Sequence, residues 1–424
     1  MAARVPLKVF LATAKKALLA PPPQRPNPLT FVRIEPLHTG RITNRNPDLD
    51  SLCSALLYAY FRTHTPPNTL HIPLSNLPRA DLALHPELNA ALSPAGLKPD
   101  DLITLTDLPR DGLKPHDTRW LLVDHNVLTG VVAESFSDPG LIIGCVDHHD
   151  DEGVVPQALP PGQPRVFAKC GSCMSLVLDQ CRDAWDRSSA EGGAASAECD
   201  AELARVALAP ILVDTTNLTS KDKTTERDVR AVELAESKLR PQMLRASQAG
   251  EWSYDRAAYY DQLTRLKDHV LGLSYRDILR KDYKRWNDGS LALGVSTVVQ
   301  GLGYLLREIG DKGEFLRALR SWAEEQKLDI AAVMTVSKPG GVFTRELLVW
   351  GLNEQGVEVA KEFVKKYEGT LGLESWEGGE MDGDEGGGWR ACWRQRNIGH
   401  SRKQVAPMLR EVMKGVVQAV NRRS

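Results

Sequence analysis

The chain has 424 residues, of which 42% are hydrophobic and 25% charged, and its formal net charge is −2 at pH 7. This length exceeds what one hydrophobic core usually holds, so two domains are expected in an ordinary soluble globular protein. The near-neutral charge excludes a global attraction to polyanions such as nucleic acid, so a polyanionic ligand would need locally concentrated positive charge.

No apolar run reaches the length of a transmembrane helix, and no secretory signal pattern is present, so no membrane association is expected. Residues 1–25 contain no acid, and Arg4, Lys8, Lys15 and Lys16 lie among apolar residues, which is typical of an organelle transit peptide. We favour the other interpretation, an amphipathic helix over Leu7–Leu19 that packs on the first domain. Seven scattered cysteines indicate a reducing compartment, so a cytoplasmic location is expected, with a mitochondrial one as the alternative.

The first acidic motif lies between a predicted strand and a predicted helix. A proline-rich connector at 21–28 leads to a strand at Thr30–Ile34 and, after a short insertion, to Asp48 and Asp50. Two acids at this spacing can point into one crevice. The helix predicted to follow, Ser51–Arg62, offers the alternative that Asp50 only caps it.

Three further predicted strands are followed by residues of types that can bind metals. In open α/β sheets, ligands bind outside the carboxyl ends of the strands. Carboxylate and imidazole together suit Mn²⁺, Mg²⁺ or Zn²⁺, although each exit alone could be an ordinary loop. The strands are Arg119–Val123 before Asp124, Leu141–Ile143 before the sequence Asp147-His148-His149, and Ala204–Val213 before Asp214.

The middle of the chain contains one C-x-x-C sequence, Cys170-Gly171-Ser172-Cys173. Because no second pair exists, we interpret it as a Gly-Ser helix start, followed by a helix over Met174–Cys181, rather than as a redox or zinc site. Residues 186–202 are rich in Ala, Ser, Gly and Glu and predict a disordered insertion. The stretch 226–275 predicts a helical connection between domains.

The last third of the chain alternates predicted strands and helices. Near its end, Gly399–Pro407 contains Arg402 and Lys403. An Arg can hold a phosphate through two parallel hydrogen bonds and a neighbouring Lys adds a point charge, although a solvated basic helix start is the alternative. Strands are predicted at Leu291–Val299, Ala331–Val336 and Thr344–Trp350, a helix at Phe315–Lys327, and a mobile acidic loop at Glu377–Gly388.

Five motifs follow one another along the chain. They are Asp-x-Asp-Ser at 48–51, Asp124 after its predicted strand, Asp147-His148-His149, Asp214, and Ser-Arg-Lys-Gln at 401–404. The set resembles the DHH phosphoesterase superfamily with a C-terminal DHHA2 domain, and within it the exopolyphosphatases and the related family II inorganic pyrophosphatases. The resemblance runs from about Leu29 to Met413. It implies an α/β fold with a mainly parallel, doubly wound DHH domain and a smaller α/β DHHA2 domain with a mixed sheet.

The resemblance also implies domain boundaries. Residues 1–28 would form a helix and connector, 29–240 the DHH domain, 241–275 a helical linker, and 276–424 the DHHA2 domain. The metals would lie in the first domain and the basic clamp in the second. The crevice between them would be the active site, and it would open and close about the linker.

The resemblance assigns roles to individual residues. The metal ligands would be Asn44, Asp48, Asp50, Asp124, His148 and Asp214. The catalytic set would be Asp124, Asp147, His148 and His149, with Asp124 bridging two metal ions and Asp147 orienting an imidazole. The phosphates would be bound by His149, by Lys284 of an Asp-x-Lys-x-aromatic pattern, and by Arg402 and Lys403.

The implied function is that of a metal-dependent exopolyphosphatase, which uses two or more Mg²⁺ or Mn²⁺ ions to release the terminal orthophosphate of inorganic polyphosphate. Asn44 favours this subfamily, since pyrophosphatases carry a histidine there. A pyrophosphatase, a hydrolase of short-chain or nucleotide polyphosphates, and a non-catalytic interaction protein remain alternatives. The related nucleases carry a Gly-Gly-Gly-His signature, whereas here Gly386–Gly388 precedes Trp389. The oligomeric state stays open.

Overall fold

The structure is a computed structural model, and it describes residues 5–34, 43–44, 48–109, 113–128, 136, 138–191, 193–249 and 254–423. The chain divides into two compact units. The N-terminal unit comprises Met1–Leu37 and Pro47–Lys267, and the C-terminal unit comprises His38–Asn46 and Asp268–Ser424.

Strands and helices alternate through most of the described chain. The strands are β1 Leu29–Ile34, β2 Thr43–Asn44, β3 His71–Leu74, β4 Thr118–Val123, β5 Ile142–Asp147, β6 Arg165–Phe167, β7 Tyr283–Asp288, β8 Leu291–Val298, β9 Ile330–Ser337, β10 Thr344–Gly351, β11 Leu373–Ser375, β12 Gly383–Glu385 and β13 Gly388–Gln395. The helices are α1 Leu7–Leu19, α2 Leu49–Thr63, α3 Pro86–Leu92, α4 Cys173–Glu191, α5 Gly193–Asp214, α6 Glu226–Ala249, α7 Arg256–Lys267, α8 Tyr275–Lys281, α9 Leu302–Glu308, α10 Lys312–Glu325, α11 Glu354–Leu371 and α12 Arg402–Arg423.

The N-terminal unit is built on a parallel sheet with the strand order β3-β1-β4-β5-β6. Side chains alternate between two cores, so that Val32 and Leu121 face one side and Phe31 and Trp120 the other. The strand order reverses between β1 and β4, and open α/β sheets bind ligands beside such a reversal. The predicted parallel α/β sheet is therefore confirmed, and its carboxyl edge is where the acidic residues arrive.

Helix α1 covers the same residues as the helix predicted at Leu7–Leu19. Its buried face includes Phe10, whose ring meets Tyr60 edge-on at a centroid distance of 5.5 Å. Lys15 forms an ion pair of 2.9 Å with Asp107 on the same unit. The segment is thus part of the N-terminal core and its surface.

The region 186–214 differs from its prediction. The strand predicted at Ala204–Val213 is the second half of α5, and residues 186–202, predicted to be disordered, lie in α4 and α5 apart from residue 192, which is outside the described residues. An apolar run that is buried on all sides lacks the two-residue alternation of a half-buried strand. Its pattern therefore fits a buried helix as well as a buried strand. Two long helices therefore replace the strand and the insertion.

The boundary between the units also differs from the predicted linker at 241–275. Helix α6 continues to Ala249, and α7 buries Tyr259 and Leu263 in the N-terminal core. The boundary therefore falls after Lys267. An apolar stripe on a helix predicts burial but does not tell which core receives it.

The C-terminal unit contains a mixed sheet with the order β11-β13-β10-β9-β8-β7-β2, and β12 pairs with β13. Strands β8 and β9 are parallel and the other pairs are antiparallel, as the predicted mixed sheet requires. Helices α11 and α12 pack on one face, and α8, α9 and α10 on the other. The mobile loop predicted at Glu377–Gly388 instead contains β12 and the fully buried Met381, which fixes the segment to the core.

Across the described residues, no helix combines the length and the apolar content needed to span a bilayer.

The packing of α1 can be tested by shortening one side chain. Phe10→Ala should lower the free energy of unfolding of the N-terminal unit by about 3–5 kcal/mol, because it leaves a cavity beside Tyr60. Val9→Ala is the matched control, since Val9 is 49% exposed and its change should stay within about 0.5 kcal/mol. Urea unfolding followed by circular dichroism measures both variants. If Phe10→Ala unfolds like Val9→Ala, α1 is not part of the core.

Candidate metal centre

The carboxyl ends of β4 and β5 lie side by side because the two strands are adjacent and parallel. Asp124 follows β4 in a left-handed conformation with φ of 64°, and its amide donates to the carbonyl of Val146 on β5 at 3.0 Å. Asp147 is the last residue of β5 and is fully buried. The sheet itself therefore brings Asp124 next to the Asp147-His148-His149 sequence.

Asp124, His148 and His149 form a cluster in which one ligand atom from each residue lies within 4.8 Å of the others. His148 Nε2 is 3.1 Å from Asp124 Oδ1, and the two imidazole rings stand edge to face at 4.3 Å. Asp124 Oδ2 accepts a hydrogen bond from Ser51 Oγ, but the buried Oδ1 receives none of acceptable geometry within the described residues. A buried carboxylate oxygen between two imidazoles fits a divalent cation.

Hydrogen bonds fix the orientation of both imidazoles. His148 Nδ1 is 3.0 Å from the carbonyl of Cys170, and His149 Nδ1 is 2.8 Å from Asp147 Oδ1. Both partners can only accept, so each Nδ1 carries a proton and each Nε2 is the nitrogen left to bind a metal ion. An imidazole held in this way is a suitable metal ligand once its Nε2 is deprotonated.

Asp147 is held in turn by Asn126, whose Nδ2 donates to Asp147 Oδ2 at 2.6 Å. Burial alone would raise the pKa of Asp147, but the hydrogen bonds from His149 and Asn126 hold it below its usual value. Asp147 therefore stays ionised and keeps accepting from His149. The neighbouring His125 bonds to the Val123 carbonyl instead, and burial lowers its pKa to about 3.

Asp48 and Asp50 accept hydrogen bonds from different parts of the structure. Asp48 is the N-cap of α2, with its side chain accepting from the amide of Ser51 at 3.0 Å. Asp50 is buried, and its four hydrogen bonds come from Ser54 Oγ, Ser172 Oγ and the amides of Cys173 and Met174. Three of these bonds go to Oδ1 and one to Oδ2, which leaves a lone pair on Oδ2 for a cation.

Burial, together with the charge of Asp124, raises the pKa of Asp50 to about 7. Burial also raises the pKa of Asp124, and the pKa of Asp214 is raised by burial and by the charge of Asp50. Asp214 thus lies close to the other carboxylates although a helix, not the predicted strand, delivers it. Carboxylates that suppress each other's ionisation in this way would be relieved by a cation.

Asp228 anchors the start of α4 and was not among the predicted site residues. It accepts hydrogen bonds from the amides of Gly171 and Ser172, from Ser175 Oγ, and from the amide and hydroxyl of Thr225. A Cβ on Gly171 would lie 2.6 Å from Thr215 Cγ2 and 2.9 Å from the Lys223 carbonyl, so glycine is required there. The chain Asp228–Ser172–Asp50 therefore positions a predicted metal ligand.

Ser51, Asn126 and Ser172 were likewise missed as contributors to the site. Each bonds to one of the site's aspartates rather than offering a ligand-type atom of its own. A local signal existed for Asp228, because Thr225-x-x-Asp228 is the capping-box spacing at the start of α6. The partners of the other three lie at long range in the chain, which local patterns do not show.

Two family models match this chain. Residues 42–211 match the N-terminal domain of the DHH family, and residues 261–412 match the DHHA2 domain. A candidate exopolyphosphatase of Schizosaccharomyces pombe is 32% identical over 88% of this chain and 90% of its own length. This chain belongs to the DHH family.

Other similar proteins agree with the DHH assignment. Human exopolyphosphatase PRUNE1 is 25% identical over 71% of this chain, and the match spans 60% of the human protein. The structure of a candidate family II inorganic pyrophosphatase from Methanococcus jannaschii superposes with a TM-score of 0.53 over 91% of this chain and 99% of its own, at 18% identity. The last comparison shows a shared fold, and the predicted family resemblance is confirmed.

In the DHHA2 unit, the Ser-Arg-Lys-Gln sequence begins α12. Gln404 Oε1 accepts from the amide and the hydroxyl of Ser401, which is half of a capping box. The guanidinium of Arg402 donates to the carbonyl and to Oδ1 of Asp282, at 2.9 and 2.7 Å. Lys403 is exposed. Ser401 and Gln404 thus shape the helix start, while Arg402 and Lys403 carry its charge.

Asn44 and Lys284 are paired residues of β2 and β7, at one edge of the C-terminal sheet. Asn44 was predicted as a ligand in the DHH domain, yet its backbone belongs to the DHHA2 unit. The structure describes the backbone of Asn44 but not its side chain, so its role as a ligand stays a prediction. Within the described residues, Asp124, His148 and His149 form the cluster of the DHH unit, and the charges of Asp48, Asp50 and Asp214 act on the same carboxylates without belonging to that group.

Asp228 should influence the metal centre without touching it. Asp228→Asn should weaken Mn²⁺ binding by about 10–100-fold, because the amides of Gly171 and Ser172 bond to different oxygens of Asp228 and one of these becomes an NH₂ donor. Isothermal titration calorimetry measures the affinity, and Glu226→Ala is the control because its side chain is 96% exposed. A folded Asp228→Asn protein that binds Mn²⁺ as tightly as the parent would contradict the positioning role.

Proposed function

We propose that this DHH protein is a metal-dependent exopolyphosphatase that hydrolyses the terminal phosphoanhydride of inorganic polyphosphate and releases orthophosphate. The observation that carries the proposal is the cluster of Asp124, His148 and His149 at the carboxyl edge of the parallel sheet. The exopolyphosphatase names of the S. pombe and human relatives support the choice of reaction and substrate.

The residues of the cluster fit two or more divalent ions, Mg²⁺ or Mn²⁺. His148 Nε2 and the unbonded Oδ1 of Asp124 would be ligands, and Asp48, Asp50 and Asp214 would add carboxylate oxygens. Ions held there supply a nucleophile at neutral pH by lowering the pKa of water. The raised pKa values of Asp50, Asp124 and Asp214 support a cation at this place.

His149 would contact substrate. Its Nδ1–H is held by Asp147, and its side chain is 33% exposed, compared with 15% for His148. Nε2 of His149 can therefore reach a phosphate oxygen or accept a proton from solvent. Asp147 would act by fixing this orientation, and it has no exposed atom with which to bind substrate itself.

Lys284, Arg402 and Lys403 of the DHHA2 unit would bind the substrate phosphates. Arg402 uses two N–H groups on Asp282, so three of its five donors remain for a phosphate. An arginine whose geometry is fixed by a carboxylate loses less side-chain entropy when it binds an anion. Asp282, the first residue of the Asp-x-Lys-x-aromatic pattern, would thus position Arg402.

An inorganic pyrophosphatase is the second candidate, and the fold shared with the M. jannaschii protein supports it. Hydrolysis of short-chain or nucleotide polyphosphates would use the same residues. A non-catalytic interaction protein on this fold would not explain why Asp124, His148 and His149 converge with both imidazoles oriented by hydrogen bonds.

The reaction can be tested by following phosphate release from long-chain polyphosphate and from pyrophosphate in parallel, with Mg²⁺ or Mn²⁺. We expect release from polyphosphate, its loss with a chelator, and a fall of at least about 100-fold in Asp124→Ala and His148→Ala. His116→Ala is the matched control because the His116 side chain is 74% exposed. Faster release from pyrophosphate would make the protein a pyrophosphatase. No release from either substrate would refute hydrolysis.

The role of Asp282 can be separated from that of Arg402. Asp282→Ala should raise KM for polyphosphate by roughly tenfold with little change in kcat, because Arg402 loses its fixed geometry. Arg402→Ala should raise KM at least as much, and the double variant should add nothing further. Asp277→Ala is the control, since Asp277 pairs with Arg280 instead. Additive effects of the two substitutions would show that Asp282 acts independently of Arg402.

A further inference from the structure

The C-terminal unit contains a cavity of about 910 Å³ at one edge of its sheet. Its walls come from the end of β8, the start of α9, the connection from β9 to β10, and the end of β13. Lys284, Arg402 and Lys403, the predicted phosphate contacts, are not among its lining residues. The cavity is thus a different place from the predicted substrate site of this unit.

The lining is strongly basic. It includes Arg307, Lys338, Arg345, Arg394 and Arg396, against two acids, Asp268 and Glu346. These cations come from separate elements of the chain, so their convergence is a product of the fold rather than of a basic run in the sequence.

The pairing of these residues decides which charges can act on a ligand. Arg394 pairs with Glu377, and Arg396 pairs with Glu374 at 2.6 Å, so both are neutralised. In the part of the chain that the structure describes, Arg307, Lys338 and Arg345 form no ion pair with a carboxylate. Three cations therefore remain uncompensated around one cavity.

Glu346 lines the cavity but forms no ion pair with these cations in the described chain. Its oxygens accept instead from the amide of Leu302 at 2.7 Å, from Thr335 Oγ1 at 2.9 Å and from Trp376 Nε1 at 2.7 Å. With five cations and two acids in the lining, the positive charge remains in excess.

Arg345 is pre-oriented. Its Nε donates to the carbonyl of Ile398 at 2.8 Å, and its guanidinium lies 5.1 Å from the centre of the Phe343 ring. These contacts leave both terminal nitrogens able to form two parallel hydrogen bonds with a phosphate. Val342 and Ile398, which are 66% and 46% exposed, give the cavity an apolar rim.

Like charges that converge in excess over the acids around them repel one another, and a polyanion would remove that repulsion. We propose that the C-terminal cavity is a second anion site, which binds a small molecule with at least two linked phosphate groups through Arg307, Lys338 and Arg345. Inorganic oligophosphates and nucleoside polyphosphates share this chemistry. Binding there does not require the metal centre.

The test measures binding without hydrolysis. Full-length protein carrying Asp124→Asn is titrated calorimetrically, with a chelator present, with tripolyphosphate, adenosine triphosphate and orthophosphate. We expect tripolyphosphate to bind and Lys338→Ala/Arg345→Ala to weaken it at least tenfold. Arg320→Ala/Lys365→Ala is the matched control, because these cations lie elsewhere on the same unit, and it should stay within twofold. Arg307→Ala provides a second variant, because the Arg307 side chain forms no hydrogen bond or ion pair within the described residues.

The predicted substrate site is removed separately with Lys284→Ala/Arg402→Ala. Tripolyphosphate binding that survives this change but not the change at Lys338 and Arg345 supports the cavity. Equal affinity for tripolyphosphate and adenosine triphosphate would identify the phosphate chain as the ligand, and tighter binding of adenosine triphosphate a nucleotide. Binding that is lost with Lys284 and Arg402, or no binding at millimolar concentration, would overturn the proposal. Because hydrolysis is absent from the assay, neither result depends on the proposed reaction.

Discussion

The collection of carboxylates at one edge of a parallel sheet is the constraint on which the N-terminal unit depends. Parallel strands deliver their carboxyl ends to the same edge, and the reversal of strand order between β1 and β4 leaves room there for polar side chains. Burial, together with the charges of neighbouring carboxylates, raises the pKa values of Asp50, Asp124 and Asp214. Burying several acids together is stable when donors and a cation satisfy them.

The surrounding hydrogen bonds follow from that constraint. Asp50 accepts the first amides of α4, Asp228 holds the turn before that helix, and Asn126 holds Asp147. Each of these bonds fixes the direction of a ligand-type side chain, which is what divalent ions with demanding geometry require.

In the C-terminal unit the notable charges are positive, and they are dispersed over several elements rather than gathered in a buried cluster. Some are held by acids, as Arg402 is by Asp282 and Arg410 by Asp288. Three cations of the cavity, Arg307, Lys338 and Arg345, are not paired with any carboxylate in the described chain. A fold that leaves some cations paired and others available provides both rigid positioning and anion affinity.

Local sequence was sufficient for β1, β4, β5 and α1, and for the candidate residues at the strand ends, because alternation, caps and ligand-type residues are short-range signals. It was not sufficient for Ala204–Val213, whose uniformly apolar residues fit a buried strand or a buried helix until α5 packs against its neighbours. It also missed Asn126 and Asp228, since their value lies in partners 21 and 57 residues away. Residue types that can bind a metal are determined by sequence, whereas the bonds that orient them exist only after tertiary folding brings distant segments together.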